Sequence, residues 1–221
     1  SNEETLAQLT HRPSLELPDS RSWPLMEEAV EASWLLGVPF FIQVIEGRDD
    51  QIEGIVAGVV ESAQESQRQQ DARWRKAIPH AVQTVVADLT GDPSRHTFQD
   101  FADALVAAVR VLRPRGQILL LTDATPEVTT EVTILQQAGD PTELLSRLSP
   151  EQAFAHRAAW QWATVAEQAQ IFLLSGWEDD LVEDLFAVPL ANREQAQRLI
   201  DASETSLHLE DAHKTLAVLE S

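Results

Sequence analysis

Four short runs of almost unbroken apolar residues punctuate the second half of the chain: AVQTVVADL (81–89), GQILLLTD (116–123), AQIFLLSG (169–176) and KTLAVLE (214–220). Runs of this length with no polar alternation are the mark of strands covered on both faces, as in a parallel sheet. Between them lie stretches with helical spacing: TFQDFADALVAAVRVL, EVTTEVTILQQA, PTELLSRL, EQAFAHRAAWQWATVAEQ, EDDLVEDLF and NREQAQRLIDAS. Parallel neighbours need crossover connections, and right-handed crossovers place helices on both faces. The expected fold class is therefore α/β, with an open, mainly parallel, doubly wound sheet of Rossmann-like type.

Upstream the rhythm changes. Residues 1–23 are polar, carry Pro13 and Pro18, and read as an extended arm. PLMEEAVEASWLLG then reads as a helix, with Pro24 in its first turn, Glu27 and Glu28 near its positive end and Gly37 at its stop. VPFFIQVIEG and QIEGIVAGVVES are β-rich runs joined by GRDD, which predicts a hairpin. ESAQESQRQQDARWRKA predicts a polar helix that ends before Pro79, because the residue preceding proline avoids helical angles. Three segments result: an arm at 1–23, a small α-β-β-α segment at 24–78, and an α/β domain at 79–221.

Composition narrows the function classes. Thirty-six acidic residues stand against 16 basic ones, for a formal charge of -20, and the acids are scattered along the chain. Such a field repels phosphate backbones and anionic lipid, so neither nucleic acid nor a membrane is an expected partner. The chain has no cysteine, which removes disulfides, thiolate metal sites and cysteine nucleophiles, and fits a reducing cytoplasm. The longest apolar runs are too short to span a bilayer. The sequence starts at Ser-Asn without methionine, which suggests a piece of something longer.

In an open parallel sheet, ligands bind beyond the carboxyl ends of the strands. Of the loops there, TGDPSRHT after the first run is richest in usable groups. Thr97 is placed to cap a helix whose first amides attract a carboxylate or phosphate, Arg95 and His96 add charge and a proton donor or acceptor, and Gln99 falls in the first turn. The same residues also serve any strand-to-helix turn, since Asp, Pro, Ser and Thr form turns whatever else they do. No GxGxxG follows the strand and no GxxxxGK[ST] occurs, so a dinucleotide or P-loop site lacks its glycines. Histidines at 11, 80, 96, 156, 208 and 213 include no HxxxH pair, which argues against a self-contained zinc site. His208 and His213, with acids between them, read as solvated loop residues before a metal contact. Asp123 and the acids at 178–180 suit helix N-termini. Trp160 and Trp162 point to different faces of one helix, with one in the core. Ser175 lacks the GxSxG elbow of a serine hydrolase.

Taken in order, WPLMEEAVEASWLLGVPFFIQVIEGRDDQIEGIVAG, GDPSRHTFQDFADAL, LRPRGQILLLTDA and DPTELLSRL resemble the C-terminal half of the nickel-pincer lactate racemase family, over about Trp23 to Glu220. The resemblance implies a two-domain protein that racemises or epimerises 2-hydroxy acids by hydride transfer to a nickel-bearing pyridinium nucleotide. That cofactor is attached to a lysine of the N-terminal domain, so none is expected in this chain. The missing N-terminal domain and a small 2-hydroxy acid are the implied partners. The family's C-terminal domain offers a glutamine and, a turn later, a lysine to the substrate. Gln99 fits the first position and the second falls on Ala102, while the loop is one residue shorter than the family pattern. Neither Lys76 nor Lys214 matches the cofactor-bearing lysine, and the match around His11 is too thin to make it the metal ligand. Gln99 and His96 are thus the expected substrate-binding residues, with no catalysis by this chain alone. A degenerate binding or sensing module and an independent nucleotide-binding domain are the alternatives. An FFIQVI hairpin lacking its neighbour would expose an apolar patch, which predicts a dimer or higher oligomer.

Overall fold

The computed structural model describes residue 15 and residues 31–37, 40–59 and 63–220. The predicted arm apart from residue 15, the start of the first helix and His11 lie outside the described residues. The chain divides into two compact units, residues 1–74 and 75–221.

In the first unit, residues 31–35 are helical and Gly37 takes a positive φ of 63° just after them. The predicted hairpin is present as β1 (Phe41–Glu46) and β2 (Ile52–Gly58), antiparallel, with Val44 opposite Ile55. Its turn closes through Gly47 N–H to Gln51 O at 2.8 Å. The helix α1 (Ala63–Trp74) follows, and Trp74 Nε1 donates to Glu46 O at 3.1 Å. Ile45 and Trp74 are buried, whereas Phe40, Ile42, Val44 and Ile55 stay exposed.

α1 is shorter than the sequence suggests. It stops at Trp74, and Arg75–Ile78 forms strand β3, which pairs in parallel with β9 (Leu216–Leu219). KTLAVLE therefore does not join the main sheet as its apolar pattern implied. Its partner is a stretch that local helix propensity hid, an instance of a long-range pairing overriding local preference.

The second unit is built on a five-stranded parallel sheet in the order β7-β6-β5-β4-β8, flanked by helices. Its strands are β4 (Val82–Asp88), β5 (Leu112–Leu121), β6 (Gln170–Leu174), β7 (Ala187–Pro189) and β8 (Ser206–Leu209). The helices are α2 (Phe98–Val109), α3 (Thr130–Gln136), α4 (Pro141–Arg147), α5 (Pro150–Ala155), α6 (Arg157–Gln168), α7 (Asp179–Asp184) and α8 (Arg193–Asp201). The apolar runs supplied β4, β5 and β6. β7 and β8 escaped notice because each is short and lies at a sheet edge, where one flank needs no cover; Pro189 ends β7 on such an edge.

Successive strands β4 to β7 march across the sheet in one direction, and β8 then closes the far side of β4. The direction of winding reverses there, between β4 and β8. Register is firm: Ala87 pairs with Leu120, Leu120 with Leu173, and Ala87 also with Leu209. Val85, Ile118, Leu120 and Leu173 are buried at the centre, and Trp162 of α6 is wholly enclosed, donating Nε1–H to Leu185 O. Trp160, its near neighbour, is half-buried, as the two-faced placement predicted. Leu120→Ala should cost about 3 kcal/mol, the usual penalty for emptying a sealed leucine site, read from urea melts.

Candidate functional site

Two loops at the carboxyl edge of the sheet wall a cleft of about 640 Å³: residues 93–98 after β4, and Asp123, Thr125, Pro126, Glu127 and Thr129 after β5. Each wall is held from below by its own chemistry.

The first wall begins at Gly91, whose φ of 94° a side chain would resist. Asp92 then caps a short 3-10 turn, Pro93–Arg95, accepting from Ser94 N at 3.0 Å and from the Ser94 hydroxyl at 2.8 Å. Those bonds hold its carboxyl below the ordinary aspartate range. Thr97 caps α2 as expected, and it does so within a reciprocal box. Asp100 N–H donates to Thr97 Oγ1 at 3.4 Å, while Thr97 N–H donates to Asp100 Oδ2 at 2.7 Å. The helix terminus thus receives a carboxylate from its own chain.

The second wall rests on Trp177 and Gly176. Trp177 Nε1 donates to Pro126 O at 2.9 Å, and its ring meets Phe98 and Phe101 at 6.1 and 5.3 Å between centroids. Phe98 also packs on Trp162 at 5.2 Å, so α2 starts on an aromatic floor. Gly176 donates to Ala124 O at 3.0 Å, and a Cβ there would collide with Thr125 Oγ1 and come within 3.2 Å of Thr125 Cβ. Asp123, read as a helix-cap acid, instead lines the cleft, with Arg193 at 3.8 Å across solvent. Glu178 is the N-cap residue of α7 but makes no side-chain cap bond.

A third loop, after β8, is fastened to the first wall. Ala212 N–H donates to Asp88 O at 2.9 Å, Asp211 N–H to Asp88 Oδ1 at 3.2 Å, and the Thr90 hydroxyl to Asp211 Oδ1 at 2.6 Å. Asp211 is almost fully buried in a left-handed conformation, with φ 49°. This fastening sets His213 against His96, ring centroids 5.3 Å apart and planes at 64°.

His96 lines the cleft and is only 8 % exposed. Gln99 does not line it. Its Nε2 donates to Gln161 Oε1 at 2.7 Å, and Gln161 Nε2 donates in turn to Asp103 Oδ1 at 3.0 Å, where Arg157 also binds at 3.2 Å. Ala102, where a substrate-holding lysine was looked for, is sealed in the core. His208 is a strand residue, not a loop one, and its Nε2 lies 2.8 Å from Asp88 Oδ2. His213 and Trp177 went unmarked as site residues; only the position of the latter in a strand-end loop pointed to it. Among the described residues no group of three or more His, Asp or Glu side chains is placed to hold a metal ion. No described helix is long and apolar enough to cross a membrane.

No family model matches the sequence, and no curated protein matches it. Among solved structures, the lactate racemase apoprotein from Thermoanaerobacterium thermosaccharolyticum aligns with a TM-score of 0.75 at 14% identity, over 96% of this chain and 55% of that one. The fold is lactate racemase-like. A Thermotoga maritima protein aligns with a TM-score of 0.64 at 11% identity, over 90% of this chain and 54% of its own. The chain spans about half the length of both. At such identities the likeness is one of fold.

Gly176→Ala should push the second wall outward and cost about 2 kcal/mol, a typical overpacking penalty, with amide shifts confined to residues 123–129 and their contacts. Burial, above all, lowers the His213 pKa below its ordinary 6.5, reinforced by Lys214 and His96 and opposed by Asp100 and Asp211. The unfolded chain then takes up this proton first as pH falls, so the contribution of His213 to stability is lost below about 6.5. His213→Gln should flatten the stability profile between pH 7.5 and 5.5 in urea melts.

Proposed function

We propose that this chain is the C-terminal portion of a lactate racemase-like enzyme acting on 2-hydroxy acids. On this reading the cleft holds the substrate carboxylate beside His96, an N-terminal domain completes the site, and the chain by itself is inactive. The observation that carries the reading is the coincidence of two things: a fold shared with the lactate racemase apoprotein along 96% of the chain, and a cleft at the carboxyl edge of the sheet. The nickel-pincer nucleotide and the lysine that bears it belong, in this proposal, to the N-terminal domain. Gln99 enters the site only if a ligand draws its amide from Gln161. The exposed apolar face of the β1–β2 hairpin is proposed to meet that domain or a second copy.

One observation favours a second reading, a degenerate binding or sensing module. Ala102 is sealed in the core, so the position offers no cation to a developing alkoxide, whose loss commonly costs several kcal/mol in the transition state. The two readings part on turnover by the intact parent protein.

The chain mixed with the pincer nucleotide and L-lactate should leave the enantiomer ratio unchanged by chiral chromatography, while calorimetry detects lactate binding that His96→Leu removes. Racemisation by the chain alone contradicts the assignment of the reactive groups to another domain. Absence of lactate binding contradicts the site.

A further inference from the structure

His96 and His213 stand on the two loops that leave β4 and β8, the pair of strands between which the winding of the sheet reverses. Open α/β sheets bind their ligands beyond the carboxyl ends of their strands; here the cleft opens between the β4 and β5 loops, and the β8 loop, tied to Asp88 and Thr90, backs its first wall. Two imidazoles meeting at this point have no structural necessity, since apolar side chains would fill the same space without unsatisfied polar atoms.

The ring nitrogens are in unequal surroundings. Nδ1 of His96 and Nδ1 of His213 are both sealed from solvent without a hydrogen-bond partner among the described residues. Nε2 of neither ring is both sealed and unpartnered. A neutral imidazole carries one proton, and the hydrogen bonds open to each nitrogen decide which one holds it. A sealed N–H with no acceptor is rarer and costlier in folded proteins than a sealed acceptor with no donor. The proton accordingly goes to Nε2, the nitrogen not left in that position.

We infer that His96 and His213 are locked as Nε2–H tautomers, so that His96 offers the cleft an N–H donor that takes a carboxylate oxygen, and holds the ligand without acting as its base. The carboxylate rests on the function proposed above; the tautomer does not. Around the rings stand Asp100 at the start of α2, and Asp211 and Lys214 on the β8 loop; Arg95, Asp123 and Glu127 line the cleft. With two acids to one arginine on the cleft wall, repulsion grows with ligand charge, which favours a monoanion over a phosphate dianion. The base at Nδ1 is beyond the reach of a ligand, so a proton taken from a substrate carbon goes to a group outside this cleft.

Long-range proton–nitrogen correlation spectra of the histidine rings, recorded on the 221-residue chain at neutral pH, test this. For both residues Nδ1 should resonate as a bare nitrogen and Nε2 as a protonated one. Addition of acetate or L-lactate should shift His96 Nε2, at concentrations roughly tenfold below those at which inorganic phosphate does so, as expected for one hydrogen bond to a charged group set against added repulsion. A proton on Nδ1 of His96 overturns the inference whatever binds. Acetate that moves amides of residues 93–98 and 123–129 but not His96 Nε2 overturns the donor role while leaving the site in place. If no cleft signal responds to either carboxylate, the proposed function fails and the carboxylate assignment with it. Tighter binding of phosphate than of acetate overturns the choice of monoanion.

Discussion

The position of β4 between β5 and β8 is the constraint on which the site depends. Residues 84–88 of β4 are paired in parallel register with residues 117–121 of β5, and residues 84–87 with 206–209 of β8. Parallel pairing makes all three strands end at the same edge, and the next loop must leave from there. The consequence is that residues 89–97, 122–129 and 210–215, far apart in sequence, become neighbours. Asp88 converts that proximity into a fixed geometry, accepting from the amides of Asp211 and Ala212 through side chain and backbone. A shift of one residue in β8 would break both bonds and turn its side chains to the wrong faces.

On the first wall alone, unlike the second with its Asp123 and Glu127, charge is arranged against the sign of the whole molecule. The chain carries a net charge of -20, yet its first wall spends two of its acids internally. Asp92 serves the 3-10 turn, and Asp100 serves the terminus of α2. A helix end that already holds a carboxylate has little left to offer a second, which leaves His96 and Arg95 as the groups of that wall suited to an anion. The bury-and-satisfy pattern recurs at the amide chain Gln99–Gln161–Asp103, where the carboxylate accepts and thereby fixes which way both amides point.

Much of this was legible in the sequence. The α/β class followed from four apolar runs, three of which became strands of the main sheet, and the loop after the first of them was picked out by its turn and capping residues; it became the wall of a cleft. What the sequence hid shares one physical cause. β3, β7 and β8 are three or four residues each and owe their existence to partners remote in the chain, Arg75 opposite Leu216 and Thr84 opposite Ser206, while β9, read as a strand, found its partner in β3 and not in the main sheet. Local propensity carries no information about such pairings. The same is true of His213, which looked like a solvated residue because only the fastening of Asp211 to Thr90 and Asp88 turns it inward. Gln99 could be placed on the first turn of α2 from spacing alone, but the buried Gln161 that engages it lies 62 residues away in the chain, beyond the reach of local inference.

The most direct test of the account is a crystal structure of the chain soaked with acetate or L-lactate. The account predicts carboxylate density between residues 93–98 and 123–129, with one oxygen at hydrogen-bond distance from His96 Nε2. Density seated elsewhere, or a β8 loop that leaves His213 apart from His96, contradicts it.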